Sequence, residues 1–166
     1  MGYDMTMEIS ALNEIFVEFY YWITVPLMFL IHVGFCLYEV SISRAKNHMH
    51  TLMKNAMLIP MVTITMFLFG FWIYFAGQGP FGNFAGGTTG LPWDSTMGSN
   101  LGDHIMGVFW AAFLLFSWTA ASIVSGAVIE RIRTGAFLIL AVLVGSVTWM
   151  IDAAWGWSAG GWMVTD

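Results

Sequence analysis

The sequence predicts an all-α membrane protein with four transmembrane helices. Hydrophobic residues make up 58% of the 166 positions, and only 9% are charged, against about 25% in an ordinary soluble domain. Four long apolar stretches each approach or exceed the roughly 20 residues that a helix needs to cross a bilayer. None of them alternates between apolar and polar residues, as outer-membrane strands do. We therefore expect a single multi-pass domain, residues 1–166, in the cell membrane.

The predicted helices cover residues 15–40, 54–77, 104–129 and 135–157. The first has Glu39 near its end, and only Asp152 interrupts the apolar run of the fourth. Pro26 and Pro60 lie inside the first two spans. They predict kinks rather than breaks, because neighbouring groups can satisfy the carbonyl that a proline frees. Small residues cluster at positions 120–127 of the third span, which predicts a helix in the interior of the bundle.

The basic residues predict the orientation. All five lie in the loops after the first and third spans: Arg44, Lys46, Lys54, Arg131 and Arg133. The positive-inside rule then places both loops in the cytoplasm and both chain ends outside. The glycine-rich loop 78–102 has no basic residue. It is therefore predicted to be extracellular and irregular.

Charge and motif content exclude several classes of function. Five basic residues and a net charge of −5 do not suit nucleic-acid binding. Cys36 is the single cysteine, so no disulfide forms within the chain. His48 and His50 are too few ligands for zinc. The sequence has no nucleophile–base motif and no phosphate-binding loop after a strand. We therefore expect no enzyme activity, no metal and no cofactor.

Three stretches carry a resemblance to a known family. They are GFCLYEVSISRAKNHMHTLMKN (34–55), TAASIVSGAVIERIR (119–133) and WGWSAGGW (155–162). In this order and spacing they resemble the ammonium transporter family (Amt/Mep/Rh). That family has a GF-x-LLEAG-x-x-RAKN-like end to its first helix, IVSGA-x-x-ER in its third and W-x-W-x-x-x-GW in its fourth. The resemblance covers almost the whole chain.

The resemblance implies the N-terminal portion of an eleven-helix fold, which is built from two inverted five-helix repeats and one more helix. The four predicted spans would correspond to the first four helices. The resemblance further implies ammonium or ammonia as the transported species. A full-length protein would be a homotrimer in the lipid bilayer, and a cytoplasmic regulatory protein is a possible partner. The two pore histidines of the family lie outside this chain.

The resemblance also assigns two residues to an outer ammonium site. Phe116 has the spacing of the family's pore-gating phenylalanine, fourteen residues before Glu130. Trp157 matches the tryptophan that walls the outer recruitment site. Aromatic faces attract cations by about 0.5–2 kcal/mol. Phe113 stands where many members have glutamine, which removes a polar contact.

Two polar residues inside the spans remain candidates from the residues alone. Asp152 lies about one turn from the outer end of the fourth span. An acid within a membrane is costly, so a functional role is the default interpretation. His32 lies within the first span. We expect it to be neutral and hydrogen-bonded to a neighbouring helix rather than part of a pore.

Three functional hypotheses follow. The leading one is ammonium transport by an N-terminal fragment of a channel or transporter. The alternative is an ammonium-sensing or accessory membrane module without transport activity, which a half-pore lacking the histidines would also fit. An intramembrane enzyme would need a polar constellation at mid-membrane depth, where the sequence offers only His32 and a few hydroxyl residues.

Overall fold

The computed structural model describes residues 2–78, 87–95, 97 and 104–165. Within them, four helices are long and apolar enough to cross a membrane. Helix α1 is Gly2–Ile42, and a short 3-10 turn, Ala45–Asn47, leads into α2. Two of the spanning helices contain a π-helical segment. Helix α2 consists of His48–Thr65, the π segment Met66–Gly70 and Phe71–Ala76. Helix α3 is His104–Ala127, and α4 consists of Thr134–Val142, the π segment Leu143–Thr148 and Trp149–Gly156. Helix α5 is the short Trp162–Thr165.

Helix α1 begins at Gly2 rather than near residue 15. Its 41 residues correspond to about 60 Å at 1.5 Å per residue, roughly twice the hydrocarbon thickness of a bilayer. Hydropathy marks only the apolar part of a helix, whereas helix formation continues into a polar segment containing Glu8 and Glu14. Helices α1 and α2 also continue through Pro26 and Pro60, as the sequence predicts.

The start of α2 corrects one prediction. Helix α2 begins at His48 rather than at residue 54. Lys54 therefore does not belong to the first cytoplasmic loop but lies within α2, where it is only 2% exposed. Its charge is compensated by the buried carboxylate of Glu39, so the lysine does not have to be solvated. Arg44 and Lys46 still lie between α1 and α2, so the predicted orientation retains its basis in the charges.

Helix α3 occupies the interior of the bundle, as its small residues predict. Within its apolar window 44% of the residues are buried, compared with 17% in α1. Helix α1 lies along α3, and α2 packs against both α3 and α4. The contact face of α3 has fully buried serine and alanine side chains, namely Ser117, Ala121, Ser122 and Ser125. Such short side chains let the helix backbones approach closely.

The helix backbones approach closely where the two π segments meet each other and where the second of them meets α3. A Cβ atom on Gly70 would lie 3.0 Å from the Ser146 carbonyl oxygen, and one on Gly145 would lie 2.9 Å from the Ser117 carbonyl oxygen. Thr65 Oγ1 and Ser146 Oγ share a hydrogen bond of 2.7 Å. The glycines therefore allow α2, α3 and α4 to cross at this level with backbone against backbone.

The buried residues form two clusters on either side of this crossing. One contains Leu58, Val62, Ala121, Phe137 and Ala141. The other is larger and aromatic, and includes Phe71, Tyr74, Phe113, Met150 and the loop residue Met97. Part of the predicted loop 78–102, residues 79–86, 96 and 98–102, lies outside the described residues. Its described part folds over the end of α2, where Trp72 Nε1 donates a hydrogen bond of 2.7 Å to the Gly87 carbonyl.

Candidate functional site

An aromatic pocket of about 270 Å³ lies at the end of the bundle where α2 and α4 finish. By the predicted topology this is the outer end. Its wall is formed by side chains from all four spanning segments, most of them aromatic: Tyr20, Tyr21, Thr24, Tyr74, Phe109, Ala112, Phe113, Phe116 and Trp157. None of these described lining residues has a carboxylate, so they present ring systems and hydroxyl groups to any cation in the pocket.

The structure brings Phe116 and Trp157 together in this pocket. Their ring centroids are 5.1 Å apart and the rings are nearly perpendicular, at 82°. Trp149 stacks on Phe116 with centroids 5.5 Å apart, and it also contacts Trp157 at 5.7 Å. Trp157 follows the last residue of α4 and is 59% exposed. One side of Phe116 is therefore packed, whereas Trp157 projects at the mouth of the bundle.

Phe113 occupies the position at which the resemblance leads one to expect glutamine. It is 3% exposed. Its ring packs against Tyr74, with centroids 4.9 Å apart, and against Phe109 at 4.4 Å. It also reaches Trp157, at 6.2 Å. This side of the pocket is therefore more apolar than a glutamine would make it.

Four residues of the pocket that have hydroxyl groups were not predicted as site residues from the sequence. Tyr20, Tyr21 and Thr24 come from α1, and Tyr74 comes from the last turn of α2. A period of three to four residues places positions 20, 21 and 24 on one helix face. That signal was available, but a Tyr-rich stretch near a helix end also fits a membrane-interface belt. Only the packing of α1 on α3 decides between the two.

Asp152 and His32 lie apart from the pocket lining. Asp152 is exposed on α4 and is not among the residues that line the pocket. His32 is 3% exposed, and its Nδ1 shares a hydrogen bond of 2.9 Å with Ser122 Oγ on α3. Its ring also contacts Trp118 at 5.8 Å between centroids. A bond to a neighbouring helix is the arrangement expected for a neutral imidazole in a bundle.

A second polar cluster lies at the opposite end of the bundle, where α1 finishes. Glu39 is fully buried, and its Oε2 accepts hydrogen bonds from Asn55 Nδ2 at 2.8 Å and Ser125 Oγ at 2.6 Å. Lys54 Nζ is 3.8 Å from the same oxygen and 4.7 Å from the centroid of the Phe137 ring. Glu39 Oε1 has no partner among the described residues. Charged side chains inside a membrane bundle persist by such mutual pairing.

The loops at this end are joined by Glu130. Its Oε1 accepts a hydrogen bond of 2.6 Å from the Arg44 backbone N–H, and its Oε2 is 3.4 Å from Arg44 Nε. Glu130 adopts a left-handed conformation, with φ of 59°, which is unusual for a residue other than glycine. The Arg44 backbone N–H and the Asn47 side chain lower the pKa of the Glu130 carboxyl. Glu130 therefore links the loop after α3 to the loop after α1.

Metal binding has no geometric support in the part of the chain that the structure describes. No group of three or more His, Cys, Asp or Glu side chains there could hold a metal ion. His48 Nε2 instead shares a hydrogen bond of 2.9 Å with the Ser43 carbonyl.

Four apolar spanning helices define a multi-pass α-helical membrane protein, and a pocket whose described lining is mostly aromatic suits a small cation. The particular family follows from comparison with known proteins: residues 19–165 match the Ammonium Transporter Family. The chain therefore belongs to the ammonium transporter family. This confirms the resemblance predicted from the three motifs.

Individual relatives have similar names. The chain is 34% identical over 143 residues to the "Ammonium transporter" of Bacillus subtilis, and this alignment covers 82% of this chain and 34% of that protein. It is 33% identical over 141 residues to "Ammonium transporter Amt2" of Archaeoglobus fulgidus, and this alignment covers 82% of this chain and 28% of that protein. It is 30% identical over 161 residues to "Ammonium transporter Amt2" of Haloferax mediterranei, and this alignment covers 95% of this chain and 33% of that protein. The chain thus spans about a third of the length of these relatives. No solved structure gives a significant match.

Proposed function

We propose that this chain forms part of an ammonium transporter and that the aromatic pocket recruits ammonium from the outer side. The family assignment and the four spanning helices support transport across the cell membrane. The observation that carries the recruitment step is the meeting of Phe116 and Trp157, with centroids 5.1 Å apart, in one pocket. These two residues lie 41 positions apart in the sequence (157 − 116) and on different helices.

The chemistry of the pocket suits a small cation that gives up its charge before crossing. Ring faces attract ammonium without a counter-charge, by about 0.5–1 kcal/mol at exposed sites and about 2 kcal/mol when water is excluded. A bare ion in hydrocarbon is far more costly than a neutral molecule. We therefore propose that ammonium loses a proton and that uncharged ammonia crosses, with or without a separately relayed proton. A trimer and a cytoplasmic regulatory partner remain predictions from the resemblance.

Methylammonium uptake tests the proposal. The protein would be expressed in a host without its own ammonium uptake, and uptake of labelled methylammonium would be followed at low substrate concentration. Trp157→Ala and Phe116→Ala remove the two ring faces. Loss of about 2 kcal/mol of cation–π attraction corresponds to roughly a 30-fold weaker interaction. We expect the concentration for half-maximal uptake to rise in both variants.

Matched controls come from residues outside the pocket. Trp93→Ala and Phe19→Ala make the same chemical changes at side chains that are 73% and 62% exposed, and both variants should transport like the parent. Normal uptake by Trp157→Ala would contradict recruitment at this pocket. Ammonium binding without any uptake would favour the sensing or accessory alternative.

A further inference from the structure

The aromatic pocket contains one hydroxyl group that is both buried and held in place. Ring faces attract any small cation, so they distinguish poorly between ions of similar size. Ammonium differs from a quaternary ion by its N–H donors, and each donor needs an acceptor oxygen. Among the described lining side chains, the acceptor oxygens are the hydroxyl groups of Tyr20, Tyr21, Thr24 and Tyr74.

Three of these hydroxyl groups are less suitable. Thr24 Oγ1 donates its proton to the Tyr20 carbonyl at 2.7 Å, in the usual bond of a threonine to its own helix. Tyr20 is 68% exposed, so its side chain is free to point away from the pocket. Tyr21 is half-buried and rests on Phe109 with centroids 5.8 Å apart. The surrounding contacts fix neither tyrosine hydroxyl.

Tyr74 is fixed by the packing of its ring. The side chain is 7% exposed, and its ring lies between Phe71, at 6.1 Å, and Phe113, at 4.9 Å. Because a phenol oxygen lies in the plane of its ring, the packed ring also fixes the position of the hydroxyl oxygen.

The count of donors and acceptors leaves the Tyr74 oxygen able to accept another bond. A phenol has one proton to donate and can also accept. If the Tyr74 hydroxyl donates its proton to a neighbouring group, both oxygen lone pairs stay available; if a neighbouring group donates to it, one lone pair still remains. In either case the oxygen can receive an N–H group.

We propose that Tyr74 is the specificity-determining residue of the aromatic pocket, and that its hydroxyl oxygen accepts a hydrogen bond from bound ammonium. The inference rests on the proposed recruitment of ammonium at this pocket. It adds a residue of α2 to the rings of Phe116 and Trp157. It also assigns the preference for an ion with N–H donors to one oxygen atom.

The test compares two ions on the Tyr74→Phe variant, which keeps the ring and removes the hydroxyl. The protein in lipid nanodiscs would be titrated with ammonium chloride and, separately, with tetramethylammonium chloride. Intrinsic tryptophan fluorescence would be read at an ionic strength held constant with sodium chloride. Losing a hydrogen bond to a charged group should weaken ammonium binding about tenfold. Binding of tetramethylammonium, which has no N–H donor, should not change. Tyr38→Phe, at an α1 side chain that is 61% exposed, should bind both ions like the parent.

The outcomes separate this inference from the proposed function. Unchanged ammonium binding by Tyr74→Phe would overturn the inference and leave recruitment intact, provided that Trp157→Ala still binds weakly. An equal loss for both ions would show that Tyr74 only supports the packing, and would also overturn it. If tetramethylammonium does not bind the parent protein, the tryptophan bands of the near-UV circular dichroism spectrum decide instead, because both proteins have the same tryptophans. Weaker ammonium binding with unchanged tryptophan bands supports the inference, and changed tryptophan bands overturn it. No ammonium binding by the parent protein would remove the proposed function and the inference together.

Discussion

Glu39→Gln and Lys54→Met, made singly and together, are expected to affect stability in a strongly non-additive way. Both side chains are buried, and Lys54 Nζ is 3.8 Å from Glu39 Oε2. At an effective dielectric constant of about 20, that distance gives an attraction of about 4 kcal/mol. Glu39→Gln alone leaves the lysine charge buried without its partner, which costs about 3–5 kcal/mol in comparable sites. The double variant removes both charges and keeps both side-chain volumes, so it should recover much of that loss.

The assay is reversible unfolding in mixed micelles, with sodium dodecyl sulfate as the denaturant and far-UV circular dichroism as the signal. We expect a coupling free energy of more than about 1 kcal/mol from the double-mutant cycle, since side chains in one buried network couple by about 0.5–3 kcal/mol. Tyr38→Phe, on the exposed face of α1, supplies a control that should leave unfolding unchanged. Additive single effects, with coupling below about 0.5 kcal/mol, would refute the view that the two charges stabilise each other.

Two further predictions concern the helix crossing and the loop contact. Gly145→Ala places a Cβ 2.9 Å from the Ser117 carbonyl oxygen and should destabilise the protein by about 1–3 kcal/mol. The same change at Gly156, which has nothing within 4 Å, should be neutral or slightly stabilising in the same unfolding assay. Because the pKa of Glu130 is lowered, its contact with the Arg44 backbone N–H should persist at neutral pH. That contact should be lost only as the pH falls through the lowered pKa, below the ordinary carboxyl value of 4.5. Hydrogen exchange in residues 43–47, corrected for the intrinsic rate, measures this protection, and early loss near neutral pH would contradict it.

The sequence was sufficient for the number of spanning helices, because each apolar run is long enough to be read without tertiary information. It was less informative about where helices end. Lys54 shows why: a lysine at the edge of an apolar run is normally in water. The structure instead buries it beside Glu39, which lies 15 positions earlier (54 − 39). A pairing between helices cannot be read from hydropathy.

For the candidate site, too, the sequence predicted some of the residues and not others. The family motifs singled out Phe116 and Trp157, and the structure places both in one pocket. Tyr74 was not singled out, because nothing in the local sequence distinguishes it from other aromatic residues near a helix end. Its proposed role depends on the packing of its ring between Phe71 and Phe113 and on the rotation of the end of α2. Both properties arise from packing between helices.

The π segments of α2 and α4 have a consequence for helical phase. A π segment accommodates one extra residue in its turn, and in a regular α-helix one residue corresponds to a rotation of about 100°. Phe71–Ala76, which contains Tyr74, and Trp149–Gly156, which leads to Trp157, both follow a π segment. The faces that these ends turn toward the pocket thus depend on the residue count of Met66–Gly70 and Leu143–Thr148. The pocket is encoded partly by the lengths of two helices and not only by the identity of its rings.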